Sequence, residues 1–193
     1  MSRPLSQRLD KAFERCYSIS EAMKPLLTVI QDTREPAALR SVVRQYLENL
    51  PIIHEVIDKA LQDGSDWAIS DGHERIGVQR KRIDDLVRSA KRRTLTRQLG
   101  KALQAYDEVI VLIEGSITEL PGQQFYVTEL DVERAWSQLR TWARHEPRII
   151  VEHVGLGAEH VALRLAVICK YYTRKEHKSD VVTGQRLSKA LRG

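Results

Sequence analysis

The sequence predicts a small three-layer α/β domain, a sheet covered by helices on both faces. From about residue 26, short β-rich runs alternate with amphipathic stretches of crossover length, the pattern of strands joined through helices. The run "DEVIVLIEG" (107–115) is continuously apolar at its centre, as a strand buried on both sides should be. At 193 residues, with 42% hydrophobic and 30% charged content, the chain has enough material for one proper core.

The elements follow in order. Residues 1–25 read as an amphipathic helix with Leu5, Leu9, Phe13 and Cys16 on one face. "LLTVIQD" (26–32) reads as a strand, ended by "DTREP", where Pro36 breaks the extended segment. "AALRSVVRQYLENL" (37–50) has helical spacing at Leu39, Val42, Val43 and Tyr46. "DWAISDGHERIGVQRK" (66–81) is a hairpin signal, two alternating runs joined through Asp71-Gly72. One long basic helix follows over roughly 84–105, with Leu86, Ala90, Leu95 and Leu99 inward. Then come a strand (107–115), a helix (132–145), a strand (148–154) and a last helix (157–173). The organisation is an N-terminal helix (1–25), an α/β domain (26–175) and a basic tail (176–193).

Several function classes are excluded. No apolar run approaches the length of a membrane span, and the N-terminus lacks the apolar stretch of a signal peptide, so the expected place is the cytoplasm. Cys16 and Cys169 have no redox or metal spacing and should be reduced. His145, His153 and His160 are spaced for neither a helical nor a strand ligand pair. There is no phosphate-binding glycine loop, dinucleotide fingerprint or serine elbow. Trp67, Trp136 and Trp142 sit at apolar-face positions, as core residues do.

Charge is uneven. Between Arg75 and Lys101 stand ten basic residues against Asp84 and Asp85, a surplus of eight in a chain whose net charge is +5. Such a segment suits a polyanionic partner, nucleic acid first; a solvated helix face is the plainer reading.

The hairpin decides more. With its tip at Asp71-Gly72, residue 66 lies near 77 and 67 near 76. Side chains alternate along a strand. One face then carries Trp67, Ile69, Ile76 and Val78; the other carries Asp66, Ala68, Gly77, Gln79 and Lys81. A carboxylate, an amide oxygen and an ammonium thus share a polar face, with Gly77 leaving room for something to approach the backbone. Phosphodiester hydrolysis wants such a set; a surface hairpin with an ordinary polar outer face is the plainer reading of the same pattern. Mg²⁺ takes hard oxygen ligands and keeps several waters, and a lysine beside it positions or helps deprotonate the attacking water. Asp32, at the end of the preceding strand, offers a second carboxylate.

"VIQDTRE" (29–35), "GSDW" (64–67), "VQRKRIDDL" (78–86), "RRTLTRQL" (92–99) and "VIVLIEG" (109–115) occur in the order and spacing of one family. Over roughly residues 26–175 the chain resembles the XPF-type (excision-repair cross-complementing) nuclease domain of the PD-(D/E)XK superfamily, whose signature reads Glu-Arg-Lys-x-x-x-Asp. The resemblance implies a restriction-endonuclease-like fold with a central mixed β-sheet flanked by helices. It implies a Mg²⁺-dependent DNA endonuclease, with Mn²⁺ able to substitute, acting on branched, flapped or partly single-stranded DNA in repair or recombination. By position, the family's metal-binding aspartate corresponds to Asp66, its glutamate to Gln79, its arginine and lysine to Arg80 and Lys81, and its closing aspartate to Asp85. Asp32, Arg34 and Glu35 resemble supporting active-site residues, with Asp32 a further metal ligand beside Asp66 and Gln79. Arg82, Arg88, Lys91, Arg92, Arg93, Arg97, Gln98 and Lys101 are the implied DNA contacts, and Asp84 is read as the cap of the basic helix.

Three features depart from the family's pattern. Ser65 separates Gly64 from Asp66, where the family usually has the two adjacent; Gln79 replaces the glutamate; and a stand-alone form without the tandem helix-hairpin-helix domain is expected. "EHVGLGAEHVALRL" (152–165) has the look of a single such hairpin, but "RIIV" before it reads better as a strand. The compact form suggests a prokaryotic or viral origin, or a nuclear location in a eukaryote. An amide oxygen still ligates Mg²⁺, and Asp66, Lys81, Asp85 and the "DTRE" residues remain, so an active nuclease is expected. The alternatives are a catalytically silent DNA-binding or scaffolding subunit, and general phosphate or RNA binding through the basic helix. The apolar face at Leu5, Leu9 and Phe13 suits a homodimer or heterodimer.

Overall fold

A computed structural model of the chain describes residues 27–50, 54–72, 74–115 and 128–172. The expected N-terminal helix and basic tail lie outside the described residues. The rest forms β1 (Leu27–Gln31), α1 (Ala37–Glu48), β2 (His54–Asp58), β3 (Trp67–Ser70), β4 (Arg75–Arg82), α2 (Ile83–Lys91), α3 (Thr94–Ala105), β5 (Glu108–Glu114), α4 (Glu129–His145), β6 (Ile149–Val154) and α5 (Ala158–Tyr172). The six strands make one sheet in the order β2-β1-β3-β4-β5-β6. Only β3 runs against its neighbours, so the sheet is mixed.

Two cores flank it. Ile30, Ala68, Val109, Val111 and Ile113 face α2, α3 and α4, while Leu27, Val29, Trp67, Ile69, Ile76, Val78, Ile110 and Leu112 face α1 and α5. The expected α/β three-layer architecture is present. β5 alternates its apolar residues between the two cores, which is why its sequence shows no polar face. Pro36 precedes α1, where a missing N–H costs nothing, and the helix buries Leu39, Val43 and Leu47 at intervals of four. α4 begins three residues earlier than its periodicity suggested because Thr128 and Asp131 form a reciprocal capping box. The 148–154 region is strand β6, not part of a helical hairpin.

Three points differ from the expectations. β2 was not anticipated: "HEVID" shows no alternation, and as an edge strand it has β1 for its one neighbour. Arg40 and Arg44 of α1 hold its last residue, Asp58, at 3.1 and 3.3 Å. The long basic helix is two helices, α2 and α3, broken at Arg92-Arg93, with Arg93 left-handed at φ 55°. Leu86 and Leu95 are both fully buried. On one continuous helix nine residues turn through about 900°, which would set them on opposite sides. The break re-phases the chain so that both point inward. Asp84 is not a cap: Arg82 holds that position, and Asp84 lies in the first turn of α2, paired with Arg88 at 2.9 Å.

No helix among the described residues is long and apolar enough to cross a membrane.

Candidate active site

β3 pairs with β4 through Trp67 with Val78, Ala68 with Gly77, Ile69 with Ile76 and Ser70 with Arg75. This corrects the expected register by two residues, because the turn is longer than Asp71-Gly72 alone. A shift of two preserves every face. The same register, continued, sets Asp66 beside Gln79 on the side of α2 and α3. Its backbone is fixed from both flanks: its N–H donates to the Val78 carbonyl at 2.8 Å, and its carbonyl accepts from Asp32 N–H at 2.8 Å. Its Oδ2 accepts from the Arg80 N–H at 2.6 Å.

Gly77 does not leave room for a ligand. A Cβ there would lie 2.8 and 2.9 Å from Cε2 and Cγ of Tyr106, and closer still to Cδ2, so the open space is filled by that ring. The Tyr106 hydroxyl donates to Asp63 Oδ2 at 2.8 Å and lies 2.8 Å from Ser65 Oγ. Burial, with the Asp63 charge beside it, pushes that hydroxyl well above the usual tyrosine range, so it stays a donor.

Lys81 is 5% exposed, and its Nζ donates to Asp85 Oδ2 at 3.1 Å and to Gln98 Oε1 at 2.9 Å. Gln98 reaches it from α3, whose backbone also packs against Gly64. Gln79 is 2% exposed; its Nε2 donates to the Gly64 carbonyl at 2.6 Å, and its Oε1 is buried without a protein partner. Asp32, also buried, accepts from the Arg34 N–H at 2.8 Å and from the Arg34 guanidinium on both oxygens. Glu35 accepts from Arg80 Nη1 at 3.0 Å.

Arg80 points to the other face of the sheet, where its Nε donates to Glu114 Oε2 at 2.6 Å; Glu114 Oε1 accepts from Gly157 N–H at 2.9 Å, before α5. Sequence reasoning missed Glu114, although a carboxylate closing the apolar run "VIVLI" was a signal that a buried partner awaited it. It also missed Asp63 and Tyr106, whose roles depend on contacts between distant segments.

Burial first, then the Glu35 charge, pushes the Asp66 carboxyl up to about 7, against the pull of the Arg80 N–H. Burial raises Glu35 as well, opposed by Arg80. Two buried carboxyls, Asp66 and Glu35, thus share one corner, with Arg80 bonded to both. Among the described residues no three His, Cys, Asp or Glu side chains converge as a metal cluster. The donors that fit are the Asp66 carboxylate and the Gln79 Oε1, whose buried oxygen lacks a partner. That oxygen-only set of low count suits Mg²⁺, which keeps most of its waters. The Asp32 oxygens are taken up by Arg34.

Arg82, Arg88, Lys91, Arg92, Arg93, Arg97 and Lys101 are exposed on or beside α2 and α3. Arg82 and Arg88 pair with Asp84, and Lys91 with Asp131 at 2.7 Å. Gln98 instead faces inward to Lys81. His153 bonds the Gly115 carbonyl and packs edge-on against Trp136.

Residues 31–153 match the ERCC4 domain family, a span that takes in each site residue described above except Gly157. XPF from Aeropyrum pernix has a similar structure, with TM-score 0.55 and 25% identity, covering 82% of this chain and 70% of that one. The structure of XPF from Aeropyrum pernix in complex with DNA shares the fold at TM-score 0.53 and 23% identity, over 76% of this chain and 64% of that one. A curated DNA gyrase subunit from Aminobacterium colombiense is 30% identical over 167 residues. That match covers 82% of this chain, which spans 20% of the relative's length. On the family match across most of its length, the chain belongs to the ERCC4 domain family.

Proposed function

We propose that the chain is a metal-dependent DNA endonuclease acting on branched, flapped or junction DNA. The observation that carries this is the meeting of the Asp66 carboxylate, the unpartnered Gln79 Oε1 and the buried Lys81 ammonium on one side of β3 and β4. Family membership and the likeness to XPF support a DNA substrate. Asp66 and Gln79 would hold Mg²⁺, with Mn²⁺ able to replace it. When bound, the ion supplies charge to the scissile phosphate and acidity to a water. Lys81 has three N–H donors and spends two on Asp85 and Gln98, which leaves one that would meet a phosphate oxygen or position the attacking water. The Arg80 N–H and the Asp32 backbone hold Asp66 in place. Arg92 and Arg93 at the break, with Arg97 and Lys101 on α3, would be the phosphate contacts.

A second reading, a silent DNA-binding subunit, draws support from Gln79, which brings no negative charge to an ion where the family's motif has a glutamate. Cleavage of labelled duplex, flap, fork and four-way junction DNA in Mg²⁺ or Mn²⁺, beside Asp66→Ala, separates the two. Cutting that vanishes in the variant supports the nuclease; binding without cutting in either metal supports the silent subunit. The reading includes assembly as a homodimer or heterodimer, which sedimentation of the full chain tests directly.

A further inference from the structure

We infer that Tyr106, Asp63 and Ser65 form a positioning bracket that sets the height of Asp66 over its metal partner Gln79; this rests on the metal site proposed above. The three polar groups are almost completely buried, with Asp63 1% exposed, yet each is satisfied inside the cluster. Asp63 Oδ1 accepts from the Ser65 N–H at 2.9 Å and from the Ser65 hydroxyl, and Oδ2 accepts from Tyr106 at 2.8 Å. A buried carboxylate is tolerated when its oxygens are met by donors in this way, and removing one donor leaves an unmatched charge.

The position of the cluster gives it a role beyond packing. Ser65 immediately precedes Asp66, and Asp63 lies three residues before it. Tyr106 comes from the end of α3, and its ring lies on Gly77, the residue of β4 two places before Gln79. The bracket therefore joins the loop that carries one ligand to the strand that carries the other. From the opposite side Gln79 Nε2 clamps the Gly64 carbonyl, and Gly64, at φ 93°, sits against the backbone of Gln98. Residues 64–66 are gripped between these two sets of bonds. Asp66 stays tied through its backbone to Val78 and Asp32, so loosening the lower grip should displace its carboxyl from Gln79 while leaving the DNA-contacting helix untouched.

The test uses the full chain without DNA and reads Mn²⁺ binding by the loss of the free-ion electron paramagnetic resonance signal. Tyr106→Phe keeps the ring on Gly77 and removes only the hydroxyl; Ser65→Ala is the second variant, should the first fold poorly. Asp66→Ala defines the site, and Val43→Ala, on the buried face of α1, controls for general destabilisation. The expected result is Asp66-dependent Mn²⁺ binding weakened about tenfold in Tyr106→Phe, the scale of supporting-residue effects at metal sites, with unchanged DNA affinity. Wild-type Mn²⁺ affinity in both Tyr106→Phe and Ser65→Ala, or equal weakening in Val43→Ala, overturns the bracket and leaves the nuclease reading intact. Asp66-dependent binding without any DNA cutting sinks the nuclease reading and leaves the bracket standing. If Asp66→Ala does not alter Mn²⁺ binding in the wild-type background, both fall.

Discussion

Replacing Gln79 by glutamate restores the family's motif residue, and the structure says it will cost stability before it helps anything. Gln79 Nε2 donates to the Gly64 carbonyl at 2.6 Å. A carboxylate oxygen at that place would face the carbonyl oxygen with no proton between them. Losing the bond and leaving the carbonyl unmatched costs about 1–3 kcal/mol. A second charge also appears beside Asp66; cross-strand neighbours lie about 5 Å apart, and at an effective dielectric near 20 two charges at that distance repel by about 3 kcal/mol. Protonation of one carboxyl relieves part of this, so a net loss of about 3–5 kcal/mol is expected at pH 8 in chelator, summing the two effects. Both carboxyls would have raised pKa in the folded state. Their contribution is present below the unfolded value near 4 and lost as pH rises through the folded value, so the deficit shrinks toward pH 5. Mg²⁺ at a hundred times its dissociation constant returns about 2.7 kcal/mol. Urea unfolding of both proteins at pH 5 and pH 8, with chelator and with Mg²⁺, reads all three effects. If Gln79→Glu is as stable as the wild type at pH 8 in chelator, the Gly64 clamp is not what this residue does.

In chelator the wild type should lose stability as pH rises from about 4 through 7, because burial holds Asp66 up at about 7. The full shift corresponds to about 4 kcal/mol; Asp66 keeps some solvent contact, so about 2 kcal/mol is the expected size. Asp66→Asn should flatten that part of the pH profile in urea melts while abolishing cutting. Gly77→Ala should destabilise by about 1–3 kcal/mol or more through its clash with Tyr106, and a melt within a few tenths of wild type would mean the ring is free to move. Arg97→Ala should weaken all DNA binding alike and lower the salt slope by about 0.9 in a titration against salt.

The faces of the site were legible because a period of two leaves no choice: Trp67, Ile69, Ile76 and Val78 had to go inward, which carried Asp66, Gln79 and Lys81 to the other side together. The turn was misread by two residues, and the faces survived only because the error was even. The break between α2 and α3 was also written in the sequence. Leu86 and Leu95 are out of phase on one helix, and a count of residues would have found it. What pattern could not reach were the meetings of distant segments. Nothing local to Lys81 names Gln98 as its partner, and nothing local to Gly77 names Tyr106. The glycine looked like space for a ligand because sequence shows a missing side chain and not what fills the gap.

Seen from the Gly64 carbonyl, two departures from the family's pattern are one. Ser65 lengthens the loop between Gly64 and Asp66 by a residue. That residue is drawn down into the Asp63–Tyr106 cluster, where its hydroxyl and N–H are both bound to Asp63. With Ser65 anchored below, the Gly64 carbonyl is presented to the side chain of residue 79 at 2.6 Å. A carbonyl oxygen there needs a donor, which an ionised glutamate lacks and a glutamine has. Glutamine turned this way leaves its one oxygen free, buried and without a protein partner. The substitution therefore exchanges a charge for a hydrogen bond while keeping an oxygen available as a ligand. On this argument the amide follows from the longer loop, and it is not by itself a sign of lost chemistry.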